Sequence, residues 1–316
     1  MVGLNFKSMA KLTQIQKLEQ IPTAIEVYLS ENNANQVALA KLAGIDKAYV
    51  NHILKRNETI GKAKIADKYY ESIAIAIDLK LEKTYWQHFN TFNFKQSIIT
   101  FENAREKKIR LGIDGDTGLG KSYAAAKYKQ KFPSQVFLVK CSGIENSKEF
   151  AINLATEVGV TTTGTKGAII KRVCEKIKNL GNNPMLIIDE FENSKAGNIP
   201  TVKTIADELQ GYAAVVVIGI DVQKMLKKGA ESRKNGFIQT NRRWSFGWTN
   251  LDPSIEEDIT LICHEVGITN KPAINWLIKR VKDFDSLKNI ITTALEEAEI
   301  SGQEVTISLL NELFPL

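Results

Sequence analysis

One short run limits the fold of this chain more than anything else in it. Gly115-Asp116-Thr117-Gly118-Leu119-Gly120-Lys121-Ser122 follows the strand-like Ile109-Arg110-Leu111-Gly112-Ile113 and precedes helix-forming residues from Tyr123 to Lys131. That order is a strand, a phosphate loop and a helix. Glycines let backbone N–H groups converge on phosphates, and the helix N-terminus adds favourable partial charge. In this frame Lys121 reaches the β and γ phosphates of ATP and the Ser122 hydroxyl ligates Mg2+. The eight residues from Gly115 to Ser122 are the expected nucleotide-binding set.

Two further segments, Gln135 to Val139 and Met185 to Ile188, have the continuous apolar character of buried parallel strands. The second runs directly into Asp189-Glu190. Behind a phosphate loop, such a strand end predicts that Asp189 holds the hydrated Mg2+ and that Glu190 polarises the attacking water. A fourth strand, Ala214 to Gly219, stops at Ile220-Asp221, and Asp221 is the candidate polar sensor between the acid and the γ phosphate. Gln239-Thr240-Asn241-Arg242-Arg243-Trp244 precedes the strand-like Ser245 to Trp248. One of Arg242 and Arg243 is the candidate finger toward a neighbouring subunit's γ phosphate, which makes hydrolysis depend on assembly. Beyond Pro253 the pattern is helical to Leu316, a small lid in which Lys288 is the candidate to place positive charge over the nucleotide.

Charge separates the rest of the chain from this core. Of 316 residues, the first 110 carry 17 basic and 11 acidic side chains and the remainder carry 25 of each, so the whole surplus of +6 lies in the first third. That balance suits a basic module touching a polyanion, joined to a neutral module with other work. Residues from about Pro22 to Tyr70 read as helical throughout. Within them, Gln36 to Ala43, Gly44, Asp46 and Lys47 to Leu54 have the layout of a helix-turn-helix, with a left-handed glycine and an aspartate cap. The outer face of its second helix is expected to present Lys47, Ala48 or Tyr49, Asn51, His52 and Lys55. Lys55, Arg56, Lys62, Lys64 and Lys68 suit phosphate contacts better than base readout. Tyr85, Trp86, Phe89, Phe92 and Phe94 then form an aromatic joint, expected to pack between domains or cover the adenine, with stacking on single-stranded bases as the alternative.

Several classes drop out. The longest apolar stretch, near Ala213 to Ile220, is far short of a bilayer span, so no membrane partner is expected. The opening Met1-Val2-Gly3-Leu4-Asn5-Phe6-Lys7 lacks a signal-peptide pattern, which predicts a cytoplasmic protein. Cys141, Cys174 and Cys263 are widely spaced among apolar neighbours, as core residues rather than a disulfide framework or a zinc site.

The order of these elements resembles the AAA+ ATPases that select target DNA for transposition, the group of MuB, TnsC, TniB and IstB. The resemblance covers nearly the whole chain, and the repressor-type helix-turn-helix fused to a short core favours the MuB type. It implies an α/β AAA+ P-loop NTPase with a parallel sheet and small helical lid, preceded by an all-α helix-turn-helix domain. The expected boundaries are 1–75 for the DNA-binding domain, 76–105 for the joint, 106–250 for the ATPase core and 251–316 for the lid. The implied activity is DNA-stimulated ATP hydrolysis by a homo-oligomer that binds double-stranded DNA non-specifically as a helical filament. Such a filament recruits and activates a transposase, and hydrolysis disassembles it. The resemblance also places Thr161 to Gly167, with Thr165 and Lys166, and the following Lys171 and Arg172, at the DNA-lined pore.

Two positions depart from the group. Its fourth strand ends in glycine and asparagine where this chain has Gly219-Ile220, and its lid offers arginine where this chain has Lys288. A helicase loader of the DnaC and IstB kind is the alternative reading. A nucleotide-switched helix-turn-helix transcriptional regulator is the third.

Overall fold

The computed structural model describes Leu12, residues 16–79, Leu81, 85–245 and 247–315. The opening segment read for a signal peptide lies outside the described residues. Two compact units emerge, one of residues 1–88 with 291–304 and one of residues 89–290 with 305–316.

In the first unit a short π-helical turn, Gln16–Gln20, leads into α1 (Ile21–Glu31), where Pro22 occupies the first turn. There the missing N–H of proline is no loss. α2 (Gln36–Ala43) starts where the Asn35 side chain accepts the N–H groups of Val37 and Ala38, and it ends at Gly44 with φ 66°. α3 (Lys47–Leu54) starts where Asp46 accepts the Ala48 N–H. Both caps and the left-handed glycine stand as the helix-turn-helix pattern requires. Ile21, Ile25, Leu39, Val50, Ile53 and Ile73 form the unit's core. The chain is not helical to Tyr70, however. Arg56 takes φ 58°, and an antiparallel hairpin follows, β1 (Thr59–Ile60) with β2 (Ala63–Lys64), turning at Gly61 with φ 61°. A left-handed residue ends the helix, and the β-branched Thr59 and Ile60 pair instead. α4 (Asp67–Ala76) closes the unit's helical set.

The second unit begins with α5 (Phe92–Lys107), capped by Thr91, so the later part of the segment expected as a joint lies in a 16-residue helix. Then come β3 (Arg110–Asp114), α6 (Lys121–Lys131), β4 (Val136–Lys140), α7 (Ser147–Val158) and α8 (Lys166–Lys178). β5 (Met185–Asp189), α9 (Ile199–Glu208), β6 (Ala214–Gly219), α10 (Val222–Glu231), α11 (Phe237–Trp244) and β7 (Trp248–Asn250) follow. The five strands are parallel in the order β4-β5-β6-β3-β7, so β6 is inserted between the strand before the phosphate loop and the strand ending in Asp189. Every residue of β5 and β6 is buried, as strands covered on both faces must be. Leu186, Ile188, Val215 and Val217 pack with Phe150, Leu154, Ile169, Val173 and Val202 from the flanking helices.

The edge strand is shorter and later than Ser245 to Trp248 suggested, because helix α11 continues to Trp244. Trp244 Nε1 donates to Leu111 O at 3.0 Å, and the Trp248 indole lies where a Cβ on Gly112 would collide with it. The glycine in β3 is thus a close-approach position. Helices α12 (Glu256–Glu265), α13 (Lys271–Arg280), α14 (Phe284–Ser301) and α15 (Ile307–Leu313) make the C-terminal part wholly helical. Mixed α/β architecture, parallel sheet and helical end are as expected from sequence. No helix among the described residues is long and apolar enough to cross a membrane. All three cysteines are buried, and burial pushes each thiol up to about 12, which keeps them protonated and inert.

Candidate nucleotide site

The phosphate loop leaves β3 at Asp114 and folds into α6 through two left-handed glycines, Gly118 with φ 73° and Gly120 with φ 82°. Non-glycine residues avoid that conformation, so the loop's path depends on these two. Lys121 is only 8% exposed. Its ammonium turns back into the loop and donates to Gly115 O at 2.7 Å and Asp116 O at 2.6 Å. Burial lowers the Lys121 pKa, opposed by the negative charges of Glu192, Asp189, Asp114 and Asp116. Ser122 follows on the exposed first turn of α6, and the Asp116 and Thr117 side chains are exposed as well, while Leu119 is buried.

Asp189, 4% exposed as a residue, ends β5, and its Oδ1 accepts the Glu190 N–H at 2.9 Å. Glu190 itself has φ 51° and turns toward the end of β4, where its Oε1 lies 2.7 Å from Lys140 Nζ. This bond raises the Lys140 pKa. Asn193 Nδ2 also donates to Glu190, at 3.3 Å. The 3-10 turn Phe191–Asn193 brings Glu192 back under β6, where its Oε2 accepts the Ile220 N–H at 3.2 Å. Asp114, 9% exposed, accepts the Gln223 N–H at 3.0 Å and so fixes the start of α10.

These residues fit a nucleotide with Mg2+. A buried carboxylate whose oxygen meets only a backbone amide calls for a cation, and a hydroxyl stands ready at Ser122 on the loop helix. Among the described residues no cluster of three or more His, Cys, Asp or Glu side chains could hold a metal alone. Magnesium held by one or two protein oxygens plus phosphates needs no such cage.

A phosphate loop, an acid ending the third strand and a fourth strand inserted between them agree with what the family comparison finds, a match of residues 110–226 to the model of the AAA domain. The core is an AAA domain. No curated protein matches the chain. Among solved structures, Cdc6p from Pyrobaculum aerophilum is similar with a TM-score of 0.51 and 14% identity, covering 70% of this chain and 67% of that one. The Aeropyrum pernix ORC1 protein, solved in complex with DNA, gives 0.49 and 15% over 70% of this chain and 63% of that one. Domain III of the Thermotoga maritima replication initiation protein DnaA gives 0.48 and 20% over 74% and 97%. At 14% identity the likeness to Cdc6p is one of fold.

Around the AAA domain's loop, the other expected site residues are placed unevenly. Asp221, the candidate sensor, is not brought in. Its φ is 53°, its side chain is 69% exposed, and its carboxylate pairs with Lys224 at 3.3 Å. The left-handed turn at the top of α10 swings it outward. Arg243 is held within the chain by Asp207, Nε to Oδ1 at 2.8 Å and Nη2 to Oδ2 at 3.0 Å. Arg110 and Lys203 reach the same carboxylate at 3.7 and 2.8 Å. Arg242, one residue earlier, is exposed. The lid meets the loop through its backbone: the Phe284 N–H donates to Gly118 O at 2.9 Å, and a Cβ on Gly118 would collide with Asp283. Lys288 is exposed on α14. Glu192, Asp114, Lys140 and Asp207 were not singled out from sequence. Only the acidic spacing Asp189-Glu190-Phe191-Glu192 carried a signal for any of them.

The expected DNA contacts divide in the same way. Lys47 and Lys55 are exposed at the two ends of α3, with Asn51 half-buried between them. Arg56 is exposed but paired with Glu26 at 3.1 Å. Tyr49 stacks on Tyr69 with centroids 3.7 Å apart, so it packs against α4 instead of facing outward. Thr165 caps α8 by accepting the Ala168 N–H, and Lys166 Nζ donates to Thr201 Oγ1 at 3.3 Å. Arg172 donates to the carbonyls of Thr161 and Thr163, bracing the loop expected at the pore. Lys171 is the most open of these, 3.9 Å from Glu175.

Proposed function

We propose that this chain is an ATP-hydrolysing, DNA-binding AAA+ protein that assembles as a helical filament on duplex DNA, selects target DNA and activates a transposase. The observation that carries the enzymatic part is the buried Lys121 ammonium inside the glycine loop, with Asp189 ending the strand on the far side of β6. The helix-turn-helix with exposed Lys47 and Lys55 supports the DNA part. The transposition part rests on the order of elements and their resemblance to the MuB group.

In this reading Lys121 exchanges two loop carbonyls for the β and γ phosphate oxygens, which are charged and hence stronger acceptors. Backbone N–H groups from Gly115 to Ser122 bind the same phosphates. Ser122 and Asp189 would hold Mg2+, which would supply positive charge against that of the phosphates. Glu190 would orient the attacking water and accept its proton as the water oxygen bonds to the γ phosphorus and the bond from that phosphorus to the bridging oxygen breaks, that oxygen leaving with ADP. To do so it must leave Lys140, so that ion pair holds the carboxylate away from the reaction until the site is filled. Arg242, being exposed, is the better placed of the two arginines to act on a neighbouring subunit, because Arg243 is committed to Asp207.

Electron microscopy of the protein on long non-specific duplex DNA, with a slowly hydrolysed ATP analogue or with ADP, tests the reading. Regular helical filaments in the analogue alone are expected. Discrete small complexes that depend on a helicase would instead favour a loader, and site-specific protection without ATP a transcriptional regulator.

A further inference from the structure

Beyond residue 110 the chain is neutral as a whole, with 25 basic and 25 acidic side chains, yet one stretch of it is not. From Lys224 to Lys234, on α10 and the turn after it, stand five basic side chains and one acidic, Glu231. Val222, Leu226 and Gly229 are buried, with Met225 and Ala230 partly so, and Lys224, Lys227 and Lys228 share the opposite, exposed face. Lys131, Lys171, Lys178 and Lys203, on other helices of this unit, each have a carboxylate within 3.9 Å. Lys227, Lys228, Arg233 and Lys234 are exposed and have no ion pair among the described residues. Lys224 does pair with Asp221, but it also stands one turn from Lys228, a like-charge spacing that weakens a helix. The helix then ends in a Schellman motif, in which the Lys234 N–H donates to Gly229 O at 2.9 Å and the Arg233 N–H to Ala230 O at 3.0 Å. The left-handed residue of such a motif is usually glycine, whereas here it is Arg233 with φ 50°.

Stability alone would favour glycine at 233 and an acid at 228, and this chain keeps a cation at both. Strain and repulsion retained on one exposed face are the marks of a site kept for a ligand. Resting on the DNA-binding reading above, we propose that Lys227, Lys228, Arg233 and Lys234 form a second contact surface for the phosphate backbone of duplex DNA, carried by α10 and separate from the helix-turn-helix. The face is rigid. A Cβ on Gly229 would collide with Phe237 of α11, one on Gly236 would stand 2.6 Å from Pro200 Cγ, and the Gln223 N–H at the start of α10 is held by Asp114 at 3.0 Å. It is also extended, because Lys224 to Lys228 alone cover about 6 Å of helix axis before the turn adds Arg233 and Lys234. A DNA strand offers a charge about every 3.4 Å along its axis, so several phosphates meet these cations together and relieve their mutual repulsion. Lysines and an arginine on such a face carry no base code, which fits binding without sequence preference.

Fluorescence anisotropy of the full chain with a random-sequence duplex at several salt concentrations tests this, read beside the melting temperature. Lys227→Ala combined with Lys228→Ala should reduce the slope of log affinity against log salt by about two, without lowering the melting temperature. Lys227→Arg combined with Lys228→Arg keeps the charge and should keep the parent's slope. Arg233→Gly gives the sharpest contrast. It should take about one from the slope and yet melt at a higher temperature than the parent, because glycine enters the left-handed position without strain. The affinity for an ATP analogue should stay at the parent's value in all three. Cations that serve only to complement the C-terminal end of α10 would lower the melting temperature when removed and leave the slope alone, and that result overturns the proposal. A parent with no affinity for the duplex would remove the DNA reading itself. A parent that binds, with both charge-removing variants matching its slope, removes only the role of α10 and turns its face toward an acidic protein.

Discussion

The phosphate loop and the helix-turn-helix surface hold their positive charges in opposite ways. Lys121 is 8% exposed, bonded to two carbonyls and surrounded by carboxylates. Lys47, Lys55, Lys62 and Lys64 are exposed on the first unit. Burying an ammonium is expensive unless neighbours compensate, so the position of Lys121 is fixed by several groups at once. An exposed lysine meets water and salt, and its contribution depends on charge density more than on placement. Phosphoryl chemistry needs the first arrangement, whereas recognition of a phosphate backbone without base readout is served by the second. Substitutions in the two regions should therefore differ in kind as well as in size.

The largest effect belongs to the group assigned to the chemical step. Glu190→Gln should slow steady-state ATP turnover by about 10²–10⁴-fold, the usual scale for losing a general base, with ATP affinity within a few-fold of the parent. Turnover equal to the parent's would mean that the carboxylate held by Lys140 is not the base. Lys121→Ala should come next, with ATP-analogue affinity falling by about a hundredfold as its charge-assisted phosphate bonds are lost. Isothermal titration calorimetry measures it directly, and undiminished affinity would break the contrast between fixed and diffuse charge at its strongest point.

Asp207 sharpens the comparison, because it is an ion-pair centre that is neither buried nor fully open, its side chain 30% exposed among Arg243, Arg110 and Lys203. Burial alone would push its carboxyl up, but the bonds from Arg243 and Lys203 outweigh that and hold the pKa below the ordinary aspartate value. A lowered folded-state pKa contributes stability at and above the unfolded value, near pH 4, and that contribution is lost as pH falls through the folded value. Asp207→Asn should cost about 1 kcal/mol at neutral pH once solvent screening is discounted. Below about pH 4 the difference from the parent should shrink. Thermal melts across that range check both sign and window.

What was legible in the sequence follows the same division. The loop was legible because its residues are contiguous and its glycines are demanded by backbone conformation, at Gly118 and Gly120 above all. The strands were legible because full burial leaves apolar residues from Met185 to Ile188 in β5 and throughout β6. Asp221 misled because one left-handed residue rotates a side chain out of a site that its neighbours line. Glu192 was hidden because its place depends on a 3-10 turn folding back under a strand 28 residues further along. The hairpin Thr59–Lys64 was hidden because it is two residue pairs long, too short for a period to show. Arg243 could not be told from Arg242 without knowing that α11 presents one of them to Asp207.

The smallest effect is expected on the helix-turn-helix, and it separates a free cation from a paired one. Lys47 is exposed with no acidic partner among the described residues, whereas the equally exposed Arg56 is 3.1 Å from Glu26. If the first unit binds the duplex backbone, each phosphate-bound cation releases condensed counterions, and the salt dependence of binding counts such contacts. Lys47→Ala should reduce the slope of log affinity against log salt by about one. Arg56→Ala should reduce it less, because that guanidinium gives up a protein partner to reach DNA. Fluorescence anisotropy with a random-sequence duplex at several salt concentrations measures both slopes, and neither change should move the melting temperature by more than a degree or two. If the Arg56 variant lost the full unit of slope and the Lys47 variant none, the DNA would lie along the α3 C-terminus and the hairpin, and the recognition face assigned to Lys47 would be the wrong one.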